Sequence, residues 1–185
     1  MRARDLTLTA LFAALTAAGA FVKIPTPISS FSLQFLATAL AGILLGSRLG
    51  ALSQAVYVAL GLVGLPIFTA GGGPQYILHP TFGFLLGLIP SAFVIGCLAE
   101  KSRKRTRLIL ACLAGLGVLY LVGLPYMGLV LNLYLGRAMS LGQILWGGMV
   151  LFLPGDAIKI AAAVLVGERL SGRLARERGE KGIDK

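Results

Sequence analysis

Residues 49–99, LGALSQAVYVALGLVGLPIFTAGGGPQYILHPTFGFLLGLIPSAFVIGCLA, contain no Asp, Glu, Lys or Arg. About 20 apolar residues cross a bilayer, so a charge-free run of this length must cross it and return. The reversal is marked by Pro66, by Gly71-Gly72-Gly73-Pro74 and by Pro80, which together break any helix. Outward from it, a second charge-free run lies between Arg107 and Arg137. The 185 residues are 57% hydrophobic and 13% charged, against about 45–50% and about 25% in soluble domains. The sequence therefore predicts an all-α integral membrane bundle of six transmembrane helices, near residues 6–22, 31–46, 49–65, 80–99, 108–135 and 153–170. Residues 1–170 form the membrane domain and residues 171–185 a basic tail. Arg2 and Arg4 before the first apolar run resemble the start of a signal peptide, but five further spans make it a retained helix.

The net charge of +10 is explained by topology. With an inside N-terminus, the inner face receives Arg2, Arg4, Arg48, Lys101, Arg103, Lys104, Arg105, Arg107, Arg169, Arg173, Arg176, Arg178, Lys181 and Lys185, and the outer face only Lys23 and Arg137. This is the positive-inside pattern, and it predicts that both termini are cytoplasmic. Residues 101–107 and the tail are then topological signals with an attraction to anionic lipid. Neither segment interleaves aromatic residues for base stacking, so nucleic acid is rejected as a partner.

One acid and one base remain inside the apolar sequence, Asp156 and Lys159 in Leu153-Pro154-Gly155-Asp156-Ala157-Ile158-Lys159. Ions in hydrocarbon cost at least a few kcal/mol each and persist where they face a protein interior or a ligand. Pro154 suits a first helical turn, and Asp156 in that turn is favoured by the positive end of the helix dipole. Residues at i and i+3 share a face, so carboxylate and ammonium are presented together. They either neutralise each other or offer an acceptor and a donor to a polar ligand; a cyclic urea would suit such a face.

Three outer connections surround this point. Residues 23–32 carry Pro25, Pro27, Ser29 and Ser30 and are long enough to act as a lid. Residues 67–79 contain the three glycines, whose bare backbone allows a close approach to a ligand. Residues 136–152 are too apolar for a free loop and are expected along the interface, anchored by Trp146. No GxxxxGK[ST] motif occurs, so the chain lacks the means to hydrolyse nucleotide.

In the first span, Ala10, Ala14 and Ala18 form two AxxxA steps, a flat stripe for a neighbouring helix. Spacing alone does not decide between internal packing and a partner subunit. Gln34, Gln54 and Asn132 are polar residues within spans, and interhelical hydrogen bonding is expected for Gln54 and Asn132. Cys97 and Cys112 read as free, packed thiols, and His79, the single histidine, as an interfacial residue. The spans hold no Ser/His pair and, apart from Glu168 at the inner end of the last, no second acid, which argues against an intramembrane enzyme.

Several motifs in fixed order carry a resemblance: Ala10-Leu11-Phe12-Ala13-Ala14-Leu15; Pro25-Thr26-Pro27 leading into Ser32-Leu33-Gln34; Gly61-Leu62-Val63-Gly64-Leu65-Pro66-Ile67-Phe68; Gly71-Gly72-Gly73 followed by Pro80-Thr81-Phe82-Gly83-Phe84; and Pro154-Gly155-Asp156 with Lys159. With these, the chain resembles the BioY family, the biotin-specific S components of energy-coupling factor (ECF) transporters. His79 departs from it, standing where a small residue is expected. The resemblance implies a six-helix bundle in the cytoplasmic membrane that binds biotin from outside and joins a transmembrane coupling subunit and two ATPase subunits. Biotin would be cargo, and no cofactor is expected. The resemblance places Asp156 and Lys159 in the substrate site, with Gln34, Gly72, Gly73 and Tyr76 as further pocket residues, and Ala10, Ala14 and Ala18 on the face that docks onto the coupling subunit. The alternatives are an S component for another vitamin and a solitary carrier.

Overall fold

The computed structural model describes residues 3–25 and 30–177, and the side chains among them except those of Pro25, Ser30, Phe31 and residues 171–177. The expectations for Pro27 and Ser29 in the first connection, for Arg2, and for the side chains of the tail lie outside the described residues.

Six long helices make the bundle: α1 (Ala3–Phe21), α2 (Gln34–Leu45), α3 (Ser47–Leu62), α4 (Phe82–Lys101), α5 (Arg105–Leu129) and α7 (Leu153–Glu177). A shorter α6 (Leu141–Gly148) lies between α5 and α7. Three helical segments, residues 82–101, 105–134 and 141–170, are each long and apolar enough to cross a membrane. The all-α reading holds, with one addition. The first connection contains a two-stranded antiparallel ribbon, β1 (Lys23–Pro25) paired with β2 (Ser30–Ser32), in register Lys23↔Ser32.

The centre of the bundle is α2, which packs against α1, α3, α4 and α7. Its sequence, QFLATALAGILL, is apolar nearly all round, as a helix enclosed on every side must be. At about 1.5 Å per residue it is only about 18 Å long. Small residues bring the neighbouring backbones close. A Cβ on Gly96 of α4 would lie 2.2 Å from the Ser47 nitrogen, so only glycine lets α4 touch the α2–α3 turn. Glu100 completes that junction by accepting from the Ser47 amide at 2.7 Å and from its hydroxyl at 3.0 Å. A helix N-terminus that has no cap of its own thus borrows one from α4.

Between α3 and α4 the chain forms a short 3₁₀ turn, Pro74–Leu78. Beyond α5, a π turn over Val130–Tyr134 ends where Asn132 exchanges two hydrogen bonds with the Met139 backbone, at 2.7 and 3.0 Å. Asn132 thus closes a loop, whereas an interhelical role was expected. Ser140 and Gln143 form a reciprocal capping box at the start of α6. This helix buries Ile144 and Gly148 and leaves Trp146 65% exposed, the disposition expected of an interfacial segment.

Candidate functional site

Asp156 lies in the first turn of α7, two residues after Pro154. One helical turn brings Lys159 beside it, with Nζ 2.6 Å from Asp156 Oδ1. Both are buried, at 3% and 6% exposure. The carboxylate is not confined to its own helix: the Tyr120 hydroxyl, from α5, donates to Oδ2. The Tyr120 ring is held edge-on by Phe84 of α4, with centroids 6.3 Å apart. Asp156 therefore has one oxygen on an ammonium and one on a phenol, the satisfaction a buried carboxylate requires.

This triad faces a cavity. Its polar lining is completed by Ser32, Gln34, Thr69 and Thr81, and its apolar walls include Phe35, Phe84, Leu85, Leu88, Leu119 and Phe152. The free space is about 80 Å³, well below the roughly 300–1,000 Å³ of typical ligand pockets. The site is thus largely filled by its own side chains.

Gln34, the first residue of α2, is held from both sides. It accepts from the Ser32 hydroxyl at 2.8 Å and donates to Tyr57 Oη at 2.7 Å, and Tyr57 donates to the Ile67 carbonyl at 3.0 Å. On another wall, Thr69 Oγ1 and Tyr76 Oη are 2.9 Å apart, Tyr76 Oη and Thr81 Oγ1 3.2 Å, and Thr81 Oγ1 and His79 Nδ1 2.7 Å. His79 stacks on Tyr76 with centroids 4.8 Å apart. Burial lowers the His79 pKa from its ordinary value, favouring the neutral ring. Lys23, from β1, donates to the Thr69 carbonyl and so ties the first connection to the second beside the cavity.

Of the residues singled out from the sequence, Asp156, Lys159 and Gln34 line this cavity. Tyr76 stands one layer behind it and orients Thr69 and Thr81. Gly72 and Gly73 serve the backbone of the loop. A Cβ on Gly72 would fall 2.0 Å from the Leu65 carbonyl oxygen, and the Gly73 amide donates to the Gly61 carbonyl at 2.7 Å. Their close approach is to α3, not to the cavity lining. Gln54 joins α1, α2 and α3 through Thr16, Thr38 and Ser53. Sequence reasoning missed Tyr120, Thr69 and Thr81 as lining residues.

Ala10, Ala14 and Ala18 are all exposed, and the opposite side of α1 is buried through Thr9, Phe12, Ala13 and Thr16. Internal packing is therefore not what the alanine stripe does. Cys97 and Cys112 are free thiols.

Comparison with known proteins agrees along the chain. Residues 1–176 match the model of the BioY family. A probable biotin transporter BioY from Lysinibacillus sphaericus is 44% identical over 168 residues, covering 90% of this chain and 86% of that protein. The biotin transporter BioY of Thermotoga maritima is 39% identical, covering 90% and 95%. The crystal structure of the S-component for biotin from an ECF-type ABC transporter superposes with a TM-score of 0.80 at 28% identity, covering 90% of each chain.

Proposed function

The chain belongs to the BioY family, and from that premise we propose that its cavity captures biotin as the substrate-binding S component of an ECF-type transporter. It is a multi-pass membrane protein, and we place it in the cytoplasmic membrane with the cavity toward the outside. The observation that carries the reading is the buried Asp156–Lys159–Tyr120 triad, the charged part of a cavity with four further polar side chains and apolar walls.

The chemistry follows from what each group offers. A ureido ring has N–H donors flanking a carbonyl. Asp156 accepts from those N–H groups, and Tyr120 keeps the carboxylate oriented. Lys159 turns from Asp156 to an acceptor on the ligand, either the ureido carbonyl or the carboxylate. Charge-assisted hydrogen bonds of this kind are worth about 1.5–3 kcal/mol each. The ring system and aliphatic chain rest on Phe84, Leu85, Leu88 and Leu119. The small free volume means that these side chains must move apart on binding, and the Lys23–Thr69 tie is the contact that such an opening would release.

The exposed face bearing Ala10, Ala14 and Ala18 suits close approach by a helix of the transmembrane coupling subunit, since small side chains let two backbones meet. Energy then comes from two ATPase subunits, because this chain has no nucleotide motif.

Competition binding on the purified chain tests the ligand. Unlabelled biotin is expected to displace labelled biotin, and thiamine and riboflavin are not. Displacement by another vitamin at lower concentration would reassign the substrate. Copurification in mild detergent tests the assembly, with the coupling and ATPase subunits expected to be lost on Ala14→Trp.

A further inference from the structure

We propose that the groove at the α4–α5 turn holds the phosphate of an anionic membrane phospholipid. Residues 101–107, KSRKRTR, contain five basic side chains and no acid. The adjacent carboxylate, Glu100, is engaged with the Ser47 amide and hydroxyl. This turn joins the ends of α4 and α5 remote from the biotin cavity, which is lined from α4 by Phe84 to Leu88 and from α5 by Leu119 and Tyr120.

Three features of the turn ask for an anion. First, α5 begins with Lys104 at its N-cap, has no side-chain cap, and has no acid in its first turn. Arg105 and Arg107 follow at once, so cations cluster at the positive end of a helix dipole, the arrangement that electrostatics disfavours unless negative charge is supplied. Second, in the same turn but not among the groove's lining residues, the half-buried Arg103 has one guanidinium nitrogen, Nη1, that is shut from solvent with no hydrogen-bond partner. Third, the turn borders a groove of about 620 Å³.

The lining of that groove is amphipathic. Lys101, Lys104, Thr106 and Arg107 form its polar side, and Leu98 and Leu110 its apolar side. Arg107 is fixed at the end of α4 by donation from Nε to the Leu98 carbonyl at 3.2 Å. One of its five N–H donors is used in that bond. A free phosphate would satisfy the cations and leave the leucines bare. A phospholipid at the membrane surface satisfies both, with its phosphate among the bases and the start of an acyl chain along Leu98 and Leu110. Basic pockets between transmembrane helices recognise anionic headgroups by this chemistry.

The test uses the full chain in neutral detergent, with bound lipid counted by native mass spectrometry. Phosphatidylglycerol, phosphatidylcholine of the same acyl chains, and glycerol 3-phosphate are the three probes. One phosphatidylglycerol per chain is expected to be retained in preference to phosphatidylcholine, with glycerol 3-phosphate a poor competitor. Lys104→Gln/Arg107→Gln should weaken it by about tenfold or more, at about fivefold per charge removed. Thr106→Glu should weaken it without deleting a base, and stands in if the double variant does not fold. Arg48→Gln/Arg169→Gln removes two exposed charges outside the groove and should change binding by less than about twofold. Equal loss in that control would reduce the effect to a diffuse field and overturn the site. Equal retention of phosphatidylcholine, or full displacement by glycerol 3-phosphate, would overturn the lipid.

Discussion

Two of the polar clusters buried in this bundle differ in what they face. In the first, Gln54 is fully enclosed; its side chain meets the Thr16, Thr38 and Ser53 hydroxyls at 3.0–3.3 Å, and Thr16 and Thr38 also donate to the Phe12 and Gln34 carbonyls. Its members are neutral, and none of them lines the cavity. In the second, Asp156, Lys159 and Tyr120 are buried too, though slightly less completely, but two of the three carry charge and all line free space. The first cluster is glue between α1, α2 and α3. The second presents its hydrogen-bonding groups to the cavity, where the proposed ligand would meet them. Burial alone does not single out a candidate site; burial of charge beside a cavity does.

The largest effect separates the clusters by replacing the ion pair outright. Asp156→Leu/Lys159→Met is expected to fold and melt near the parent, because apolar replacement of a buried pair is often neutral or stabilising. Biotin affinity should fall by about 100-fold or more, from two charged hydrogen bonds at about 1.5–3 kcal/mol each. Lys159→Ala alone should lose both affinity and about 3–5 kcal/mol of stability, since the carboxylate loses its ammonium. Equilibrium binding and thermal melting in detergent read both quantities. A double variant that still binds within about tenfold would reduce the pair to a strut.

Next is Tyr120→Phe, which removes the phenol from Asp156 and should weaken biotin about tenfold, with about 1–3 kcal/mol of stability also lost as a buried carboxylate oxygen is left without its donor. Gln54→Leu should cost a similar amount of stability, about 1–3 kcal/mol, with affinity unaltered in the folded protein. An affinity loss there matching that of Tyr120→Phe would erase the contrast between the clusters.

The smallest effect is expected at His79. Its folded pKa lies below the ordinary value, so on acidification the unfolded chain takes up a proton before the native ring does. Stability should therefore decline as pH falls through about 6.5 toward the lower native value, and His79→Asn should flatten the decline. Melting curves at a series of pH values read the slope. A slope of opposite sign would mean that the chain from His79 through Thr81 and Tyr76 to Thr69 favours the charged ring.

Much of this was legible in the sequence because hydrocarbon penalises ions and broken helices. The charge-free runs gave the spans, and Asp156 and Lys159 stood out as the ions left inside them. Leu153 was read as the start of the last helix and is so, since Pro154 fits only its first turn. Tyr120, Thr69 and Thr81 were not legible, because a hydroxyl in an apolar run looks the same whether it packs or lines a cavity. The glycines signalled close approach without naming the neighbour, which proved to be the α3 end. The β ribbon was too short to show a period, and AxxxA spacing became informative only when the opposite face of α1 was found buried.

The shortness of α2 has a bearing on transport. A helix of about 18 Å stands at the centre of a protein sized for about 30 Å of hydrocarbon. Gln34 opens it and lines the cavity. On the function proposed above, a bound vitamin would sit at the end of this short helix, already enclosed by protein. The step left to an assembled transporter would then be the passage of a thinner barrier than the bilayer itself.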